Sequence, residues 1–444
     1  MRRQRIAGWG QYPVTEAEVA RVRSRENLVE QLRRPGPWLA QGSCRSYGDA
    51  CLGTRVLSTL PLGHLLAFDA ETGVLRAEAG ITLDEILRFA VPRGWFLPVT
   101  PGTKYPTLGG CLAADVHGKN HHVDGALSRH LDSLEMVLAD GSTVRCSRTE
   151  HPELFRATLG GMGLTGVIYA AILRLRPISS AWIAVRTLRT GGLAETCRLF
   201  AETQDQHRYS VAWIDCLAQG SRLGRSLVML GDHLDADLAG RPNPLQVHPP
   251  SRFEVPCTLP GWVLTPWSMR AFNGLYYHRQ WGRERRAEVH YDPFFYPLDA
   301  VGRWNRIYGR AGFLQYQFAV PMARGQEAVA EILGRIAARG AASFLAVLKA
   351  FGPADEGLLG FPMAGYTLAL DLPLREPGLV GFLRELNRTV REAGGRVYLA
   401  KDAVLEREDF EAMYPGLPEF RRVKREVDPE NRFRSLQSDR LGLT

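Results

Sequence analysis

The stretch TLGGCLAADVHGKNHH, Thr107 to His122, crowds chemically able residues into one short run. His117, His121 and His122 could ligate a metal or move a proton. His117 and His121 stand four apart, which suits one helix face. Gly118 and Asn120 interrupt that spacing, and both are poor helix formers. No HExxH or facial-triad pattern follows, so no metal is expected. Glycine is the stronger signal, because it recurs. QGSCRSYGD (41–49), PGTKYPTLGG (101–110) and GGMGLTG (160–166) are three glycine-rich loops beside candidate strands or helices. Glycine lets another group approach the backbone closely, and successive exposed N–H groups form a nest for an anion. With Arg45, Ser46, Thr103 and Thr107 among them, the three loops suit a pyrophosphate.

Two further sets carry polar groups. FLQYQFAV (313–320) alternates, with Gln315 and Gln317 on one face and Leu314, Tyr316 and Phe318 on the other. Taken alone, the glutamines read equally as a solvated sheet face. Lys401 in VYLAKD reads equally as a solvated turn lysine.

Around these groups the chain has 444 residues, 45% hydrophobic and 23% charged, which implies two or three globular domains. A net charge of +8 suits ordinary solubility or an acidic partner. No Lys/Arg run or zinc-finger spacing points to nucleic acid. Seven scattered cysteines without a CxxC pair argue for a reducing compartment. The N-terminus MRRQRIAGWGQYP lacks an apolar core for secretion. Met162 to Leu173 is too short to cross a bilayer, which takes about 20 apolar residues. The expectation is a cytoplasmic protein that could lie against a membrane.

The spacing predicts a helix over 14–33, with Thr15 as cap and Glu18 three positions on. A hairpin follows around Glu71-Thr72-Gly73, then a helix capped by Thr82, then a hairpin around Asp140-Gly141. GGMGLTG leads into a β-branched strand. In the second half, strands at 313–320, 343–352 and 366–374 alternate with helices at 325–338 and 379–392. That pattern is α+β, not the strict strand–helix alternation of a Rossmann fold. Residues 249–286 read as a long loop or lid. There Trp262, Trp267, Phe272, Leu275, Tyr276 and Tyr277 interleave with Arg270, Arg279, Arg283, Arg285 and Arg286. Aromatic rings among cations also suit a bilayer interface.

RSYGD (45–49), PGTKYPTLGG (101–110), DVHGKNHH (115–122), FLQYQFAVP (313–321), VYLAKD (397–402), MYP (413–415) and VDP (427–429) resemble, in order, the vanillyl-alcohol-oxidase-like flavoprotein family. The resemblance implies a two-domain PCMH-type FAD-binding fold with an inserted substrate domain of sheet and helices. Residues 1–178 and 396–444 would form the FAD-binding domain, and 179–395 the substrate domain. Gly42, Ser43, Arg45, Ser46, Tyr47 and Gly48 would lie along the dinucleotide. Gly102 and the backbone amides of Thr107, Leu108, Gly109 and Gly110 would hold its pyrophosphate. Ala114, Asp115, Val116 and His117 would pass the isoalloxazine, Ile168 the adenine side, and Tyr398 the flavin ring. Gln315, Gln317, Lys349 and Lys401 would line the substrate pocket. Many relatives tether FAD through a histidine where this chain has Tyr47-Gly48-Asp49, so the FAD would be non-covalent. One member that the motifs resemble carries a cysteine where Ala369 stands and an amide side chain where Thr367 stands.

The implied activity is FAD-dependent oxidation of a secondary sugar alcohol, at C2 of a polyprenyl-phosphate-linked pentose, with hydride passing to flavin N5. Lys401 would be the electrostatic or orienting group, and His117 or Lys401 the proton acceptor. A partner reductase is a further expectation. The alternatives are oxidation of free alditols or aldonolactones, and a non-catalytic flavin-binding protein.

Overall fold

The alternation in FLQYQFAVP builds the strand Phe313–Pro321, and both its faces are buried. A computed structural model describes residues 2–240, 242–249, 251, 253–260, 263–341, 343–375 and 377–443. In it, Phe313–Pro321 runs antiparallel between Gly365–Pro373 and Arg396–Val397. These belong to an eight-stranded sheet whose order continues from Gly365–Pro373 through Ala346–Phe351, Tyr209–Ile214, Ser226–His233 and Trp182–Thr190 to Glu284–His290.

Register places Gln315 opposite Asp371, Gln317 opposite Ala369, and Lys349 opposite Thr367. Period-two alternation then puts this polar set on one face. On the other face Leu314, Phe318, Leu368 and Leu370 pack under two helices, Met322–Arg339 and Leu379–Glu392. Val329, Ile332, Leu333 and Ile336 come round at helical spacing and are buried to the last few percent. Each such side chain stabilises the layer by about 1.5–3 kcal/mol.

The first half supplies three smaller sheets, of four, five and two strands. The hairpin Leu65–Phe68/Val74–Glu78 and the pair Leu131–Val137/Thr143–Cys146 flank Val167–Arg174, as expected. Thr82 caps its helix reciprocally: Glu85 N–H donates to Thr82 Oγ1 at 3.3 Å, and Thr82 N–H to Glu85 Oε2 at 2.8 Å.

Two expectations fail. The helix expected over 14–33 is a strand, Val14–Arg21, followed by a shorter helix, Arg25–Leu32. Thr15 caps nothing; Ser24 does, accepting from Asn27 N–H at 3.1 Å. Val14–Arg21 lies between Arg2–Ala7 and Arg55–Ser58, so pairing with distant chain overrode a helix-like local pattern. The loop expected at 249–286 contains the helix Pro266–His278, with Thr265 and Ser268 capping each other and Pro266 in the first turn. It is followed by an edge strand, Glu284–His290, on Trp182–Thr190. Aromatic residues on several sides of the helix blur its periodicity in the sequence. Trp262 lies outside the described residues.

The chain's end returns to its beginning. Trp38 bridges Phe433, and Leu436 N–H donates to Leu52 O at 2.7 Å. Arg440 spans Asp49 at 2.8 Å and Asp402 at 2.7 Å. No helix among the described residues is long and apolar enough to cross a membrane.

Candidate active site

The polar face of the large sheet looks onto the glycine loops of the first half, and a cavity of about 290 Å³ lies between them. Its walls include Gly42 to Tyr47, Gly102, Thr107, Gly109, Gly110, Ala114, Val116, His117 and Ile168 from the first half. Gln315, Gln317, Lys349, Ala369, Tyr398 and Lys401 close it from the second. The sequence-predicted residues therefore meet around one space, with three exceptions. Gly48, Leu108 and Asp115 do not line it. Gly48 has no room for a side chain, because a Cβ would come 1.6 Å from Asp402 O. It lets the 45–49 loop pack on the 400–403 turn. Leu108 is fully buried core. Asp115 is fully buried and accepts from Ser128 N–H at 3.2 Å. Burial and then the charge of Asp355 push its carboxyl up to about 7.

The glycine loops do different work from what their sequences suggest. The amides of residues 108–110 were expected to bind an anion, but they are already committed. Leu108 N–H donates to Ile81 O and Gly109 N–H to Ala79 O, each at 2.8 Å. Gly110 N–H donates to Thr107 Oγ1 at 3.2 Å, the N-cap of the short helix Leu108–Ala113. Here glycine serves close packing: a Cβ on Gly109 would sit 2.8 Å from that of Ala79, and one on Gly42 2.2 Å from Thr107 Oγ1. Among the described residues, the amides of Ser43, Cys44, Arg45 and Ser46 meet no protein acceptor. The anion nest is therefore the first loop, where Cys44 turns left-handed at φ 52°. The Arg45 guanidinium lies 4.0 Å from the Trp9 ring centroid, and its buried Nε has no partner.

At the sheet end the groups are close, and Gln315, Gln317, His117 and Asp371 are buried. Gln317 Nε2 donates to His117 Nε2 at 3.1 Å and lies 3.3 Å from Thr367 Oγ1. Gln315 Nε2 donates to Asp371 Oδ1 at 2.5 Å. The glutamines are thus no solvated face: Gln317 is 4% exposed. Nor is Lys401 a surface lysine, since its Nζ stands 3.8 Å from the Tyr47 ring centroid on the cavity wall. Tyr398 Oη donates to Ala114 O at 2.9 Å, and its ring stacks on Phe361.

Burial sets the electrostatics. It pushes Lys401 down to about 7, against the pull of Asp371 and with the help of Lys349. It pushes Lys349 down to about 8. It raises Asp371, while Gln315 and Lys401 hold that carboxyl back. His117 falls well below the ordinary imidazole range, through burial first and then Lys349, His121 and Lys401. His117 is therefore neutral at physiological pH, with a buried Nδ1 that has no partner. His121 instead bonds Asp355 at 2.8 Å, and His122 bonds His207 O at 3.0 Å, so the three histidines serve three separate contacts.

Asp371 was missed in the sequence, as were Trp9, Val347 and Trp304 on the cavity wall. A signal for Asp371 existed: a lone carboxylate inside the apolar strand GYTLALDLP rarely goes unused. Trp9, Val347 and Trp304 carry no comparable mark.

Comparison with known proteins adds a second line of observation. Residues 14–147 match the family model of an FAD binding domain, and residues 310–441 that of D-arabinono-1,4-lactone oxidase. The chain is 36% identical to decaprenylphosphoryl-beta-D-ribose oxidase of Mycolicibacterium smegmatis, over 99% of this chain and 98% of that protein. It is also 36% identical to an uncharacterised protein from the mprA 5' region of Streptomyces coelicolor, over 82% of this chain and all of that one. A shorter match, 30% identical over 34% of this chain and 29% of the relative, is to human delta(24)-sterol reductase.

The walls suit FAD. A Cβ at Gly102 or Gly163 would meet no protein atom within 4 Å, so the cavity passes directly over bare backbone there. The unpaired amides of residues 43–46 offer donors of the kind a diphosphate needs.

Proposed function

The chain belongs to the FAD-dependent oxidoreductase family of decaprenylphosphoryl-β-D-ribose oxidase, and we propose that it oxidises a secondary alcohol of a sugar, at C2 of a polyprenyl-phosphate-linked pentose. In this reading residues 1–178 and 396–444 together hold FAD without a covalent bond, and 179–395 form the inserted substrate domain. The supporting contacts are the Arg440 ion pairs and the Trp38–Phe433 bridge that tie the two ends together. The sheet strand Arg396–Val397 is the point at which the chain crosses back. No histidine stands at Tyr47 or Gly48 to form a tether.

One observation carries the proposal: two half-buried lysines, two buried glutamines and a buried, neutral histidine end a cavity whose other end is a glycine-rich anion nest. When bound, FAD supplies the redox chemistry, taking hydride from the carbinol carbon at N5. Lys349, pushed down only to about 8, keeps its positive charge near neutral pH, which suits a sugar that carries phosphate. Gln315 and Gln317 offer amide groups to sugar hydroxyls, each held in place by Asp371 or by His117 and Thr367. The carbinol proton goes to Lys401. A base acts best when its pKa lies near the working pH, and Lys401 is pushed to about 7 whereas His117 is pushed far lower.

The match of residues 310–441 to a lactone oxidase model favours a second reading, a free aldonolactone or alditol substrate. Anaerobic titration of the yellow protein separates the two. Bleaching by a polyprenyl-phosphate-linked ribose and not by free alditols or aldonolactones is the expected result. Bleaching by free sugars alone would establish the second reading, and a yellow protein that no sugar bleaches would leave a flavin-binding protein without this activity.

A further inference from the structure

The helix Pro266–His278 is apolar on two sides. Its inner side is locked to the large sheet and the loops beside it. Tyr277 Oη donates to Thr190 O at 3.0 Å, Asn273 Nδ2 to Asp215 Oδ1 at 3.1 Å, and Tyr276 packs on Trp213. Trp267, Ala271 and Leu275 recur every fourth residue on the opposite side. Trp267 is 78% exposed and Leu275 75%, and Trp281, just past the helix, is 91% exposed. Single exposed apolar residues are ordinary, but two bare tryptophans and a leucine along one short segment concentrate apolar surface in a way that signals contact.

The patch wears a largely basic collar. Residues 263–286 hold five arginines and a single glutamate, and all five arginines are exposed. Glu284 is already engaged by Arg186 and Arg286, and Arg283 pairs with Glu195 at 2.8 Å, so the excess of positive charge falls on the other arginines. The segment also reaches the cavity. Phe272 meets Phe344 edge-on at 5.9 Å, and the next residue, Leu345, is on the cavity wall. Leu264 packs into the cluster of Tyr47 and Trp304, which both line that wall.

We propose that this face, Trp267, Leu275 and Trp281 within their arginine collar, docks on the surface of an anionic lipid bilayer. Indole rings settle at the headgroup level, arginine stems lie along apolar surface with their charges outward, and an anionic leaflet attracts the collar. A second copy of this chain fits poorly, because it would bring the same five arginines against them. Docking stands apart from the substrate reading. Its consequence, a lipid-linked sugar entering the cavity from the bilayer beside it, rests on that reading.

Flotation of the full-length yellow protein tests docking without any sugar, so its outcome is independent of the bleaching experiment. Vesicles of phosphatidylcholine are compared with vesicles containing phosphatidylglycerol, at low and high salt. The protein is expected to float with the anionic vesicles alone and to be released by salt. W267S/W281S and, separately, R283Q/R285Q/R286Q are each expected to weaken that partition by about tenfold or more, with FAD content unchanged. Equal partition with and without phosphatidylglycerol would overturn the proposal. So would wild-type partition of both variants, or a lipid-free dimer abolished by W267S/W281S in a protein that does not float.

Discussion

Gln317 donates its side-chain amide to His117 across 3.1 Å, and this contact joins the strand Phe313–Pro321 of the large sheet to the loop after the helix Leu108–Ala113. The two residues lie 200 positions apart and are both buried. Because His117 Nε2 accepts, its proton sits on Nδ1, where no protein group receives it. A neutral imidazole with an idle donor is thus held at the site. Replacing Gln317 by Ala frees the ring and leaves its nitrogen without a partner, at a cost of about 1–3 kcal/mol. The expected result is flavin reduction slowed about 10- to 100-fold, with the protein still yellow, read by anaerobic stopped-flow. Reduction at the wild-type rate would show that the contact does not serve the site.

Lys401 should impose a pH limb. Its amine is driven down to about 7, mainly by burial, so it is protonated below that pH and free to accept a proton above it. The flavin reduction rate is expected to rise with pH through about 7 and then level off. Lys401→Ala should abolish reduction while keeping the colour. Lys401→Arg should fail equally, because a guanidinium keeps its proton at every accessible pH. A pH-independent rate, or an active Lys401→Arg variant, would assign the proton to another group.

Asp371 tunes that limb. Its charge works against the burial of Lys401 and holds the amine up. Asp371→Asn removes the anion, and the midpoint of the limb is expected to move to lower pH. The amide keeps an oxygen to accept from Gln315, so sugar binding should suffer less than the pH profile shifts. An unmoved midpoint with a raised KM would mean that Asp371 acts through Gln315 alone.

How much of this was legible depends on where each signal lay. Local signals survived: the Thr82 capping box, the Asp140-Gly141 turn, and the two-residue alternation that put Gln315 and Gln317 on one face. Each is written within a few consecutive residues. Signals that depend on distant partners did not survive. Nothing between Val14 and Arg21 says that Arg2–Ala7 and Arg55–Ser58 will flank it as strands. Nothing in TLGG says that its amides will be taken by Ala79 and Ile81. The glycines were recognised correctly as marks of close approach, yet at Gly109 the approaching group is the protein's own backbone and Ala79 side chain. Among the described residues, the first loop kept four consecutive amides free, those of Ser43 to Ser46.

Arg440 offers a test of the return of the chain's end. It is mostly buried and pairs with Asp49 beside the first glycine loop and with Asp402 beside Lys401. Breaking such a pair leaves buried carboxylates uncompensated, at about 3–5 kcal/mol. Arg440→Met is therefore expected to lower the melting temperature by several degrees and to loosen FAD, since both aspartates adjoin the cavity loops. Thermal melts monitored by flavin fluorescence should show release of the flavin at lower temperature than in wild type. Unchanged melting would mean that the segment from 396 onward adds little to the FAD-binding half.

Two glycines distinguish a cavity built for a cofactor from one that is merely empty. At Gly42 an added methyl would strike Thr107 Oγ1, the cap of the helix Leu108–Ala113, at 2.2 Å. Gly42→Ala must displace that cap, so it should lower both stability and FAD content, the cap alone being worth about 1 kcal/mol. At Gly102 the same methyl would meet no protein atom within 4 Å, yet the residue lines the cavity. Gly102→Ala should therefore leave the melting temperature of the flavin-free protein unchanged and weaken FAD binding alone. Titrating flavin-free protein with FAD, followed by flavin fluorescence, separates the two variants. If Gly102→Ala takes up FAD as tightly as wild type does, the dinucleotide does not pass over that loop, and the assignment of the glycine-rich end to FAD would have to be given up.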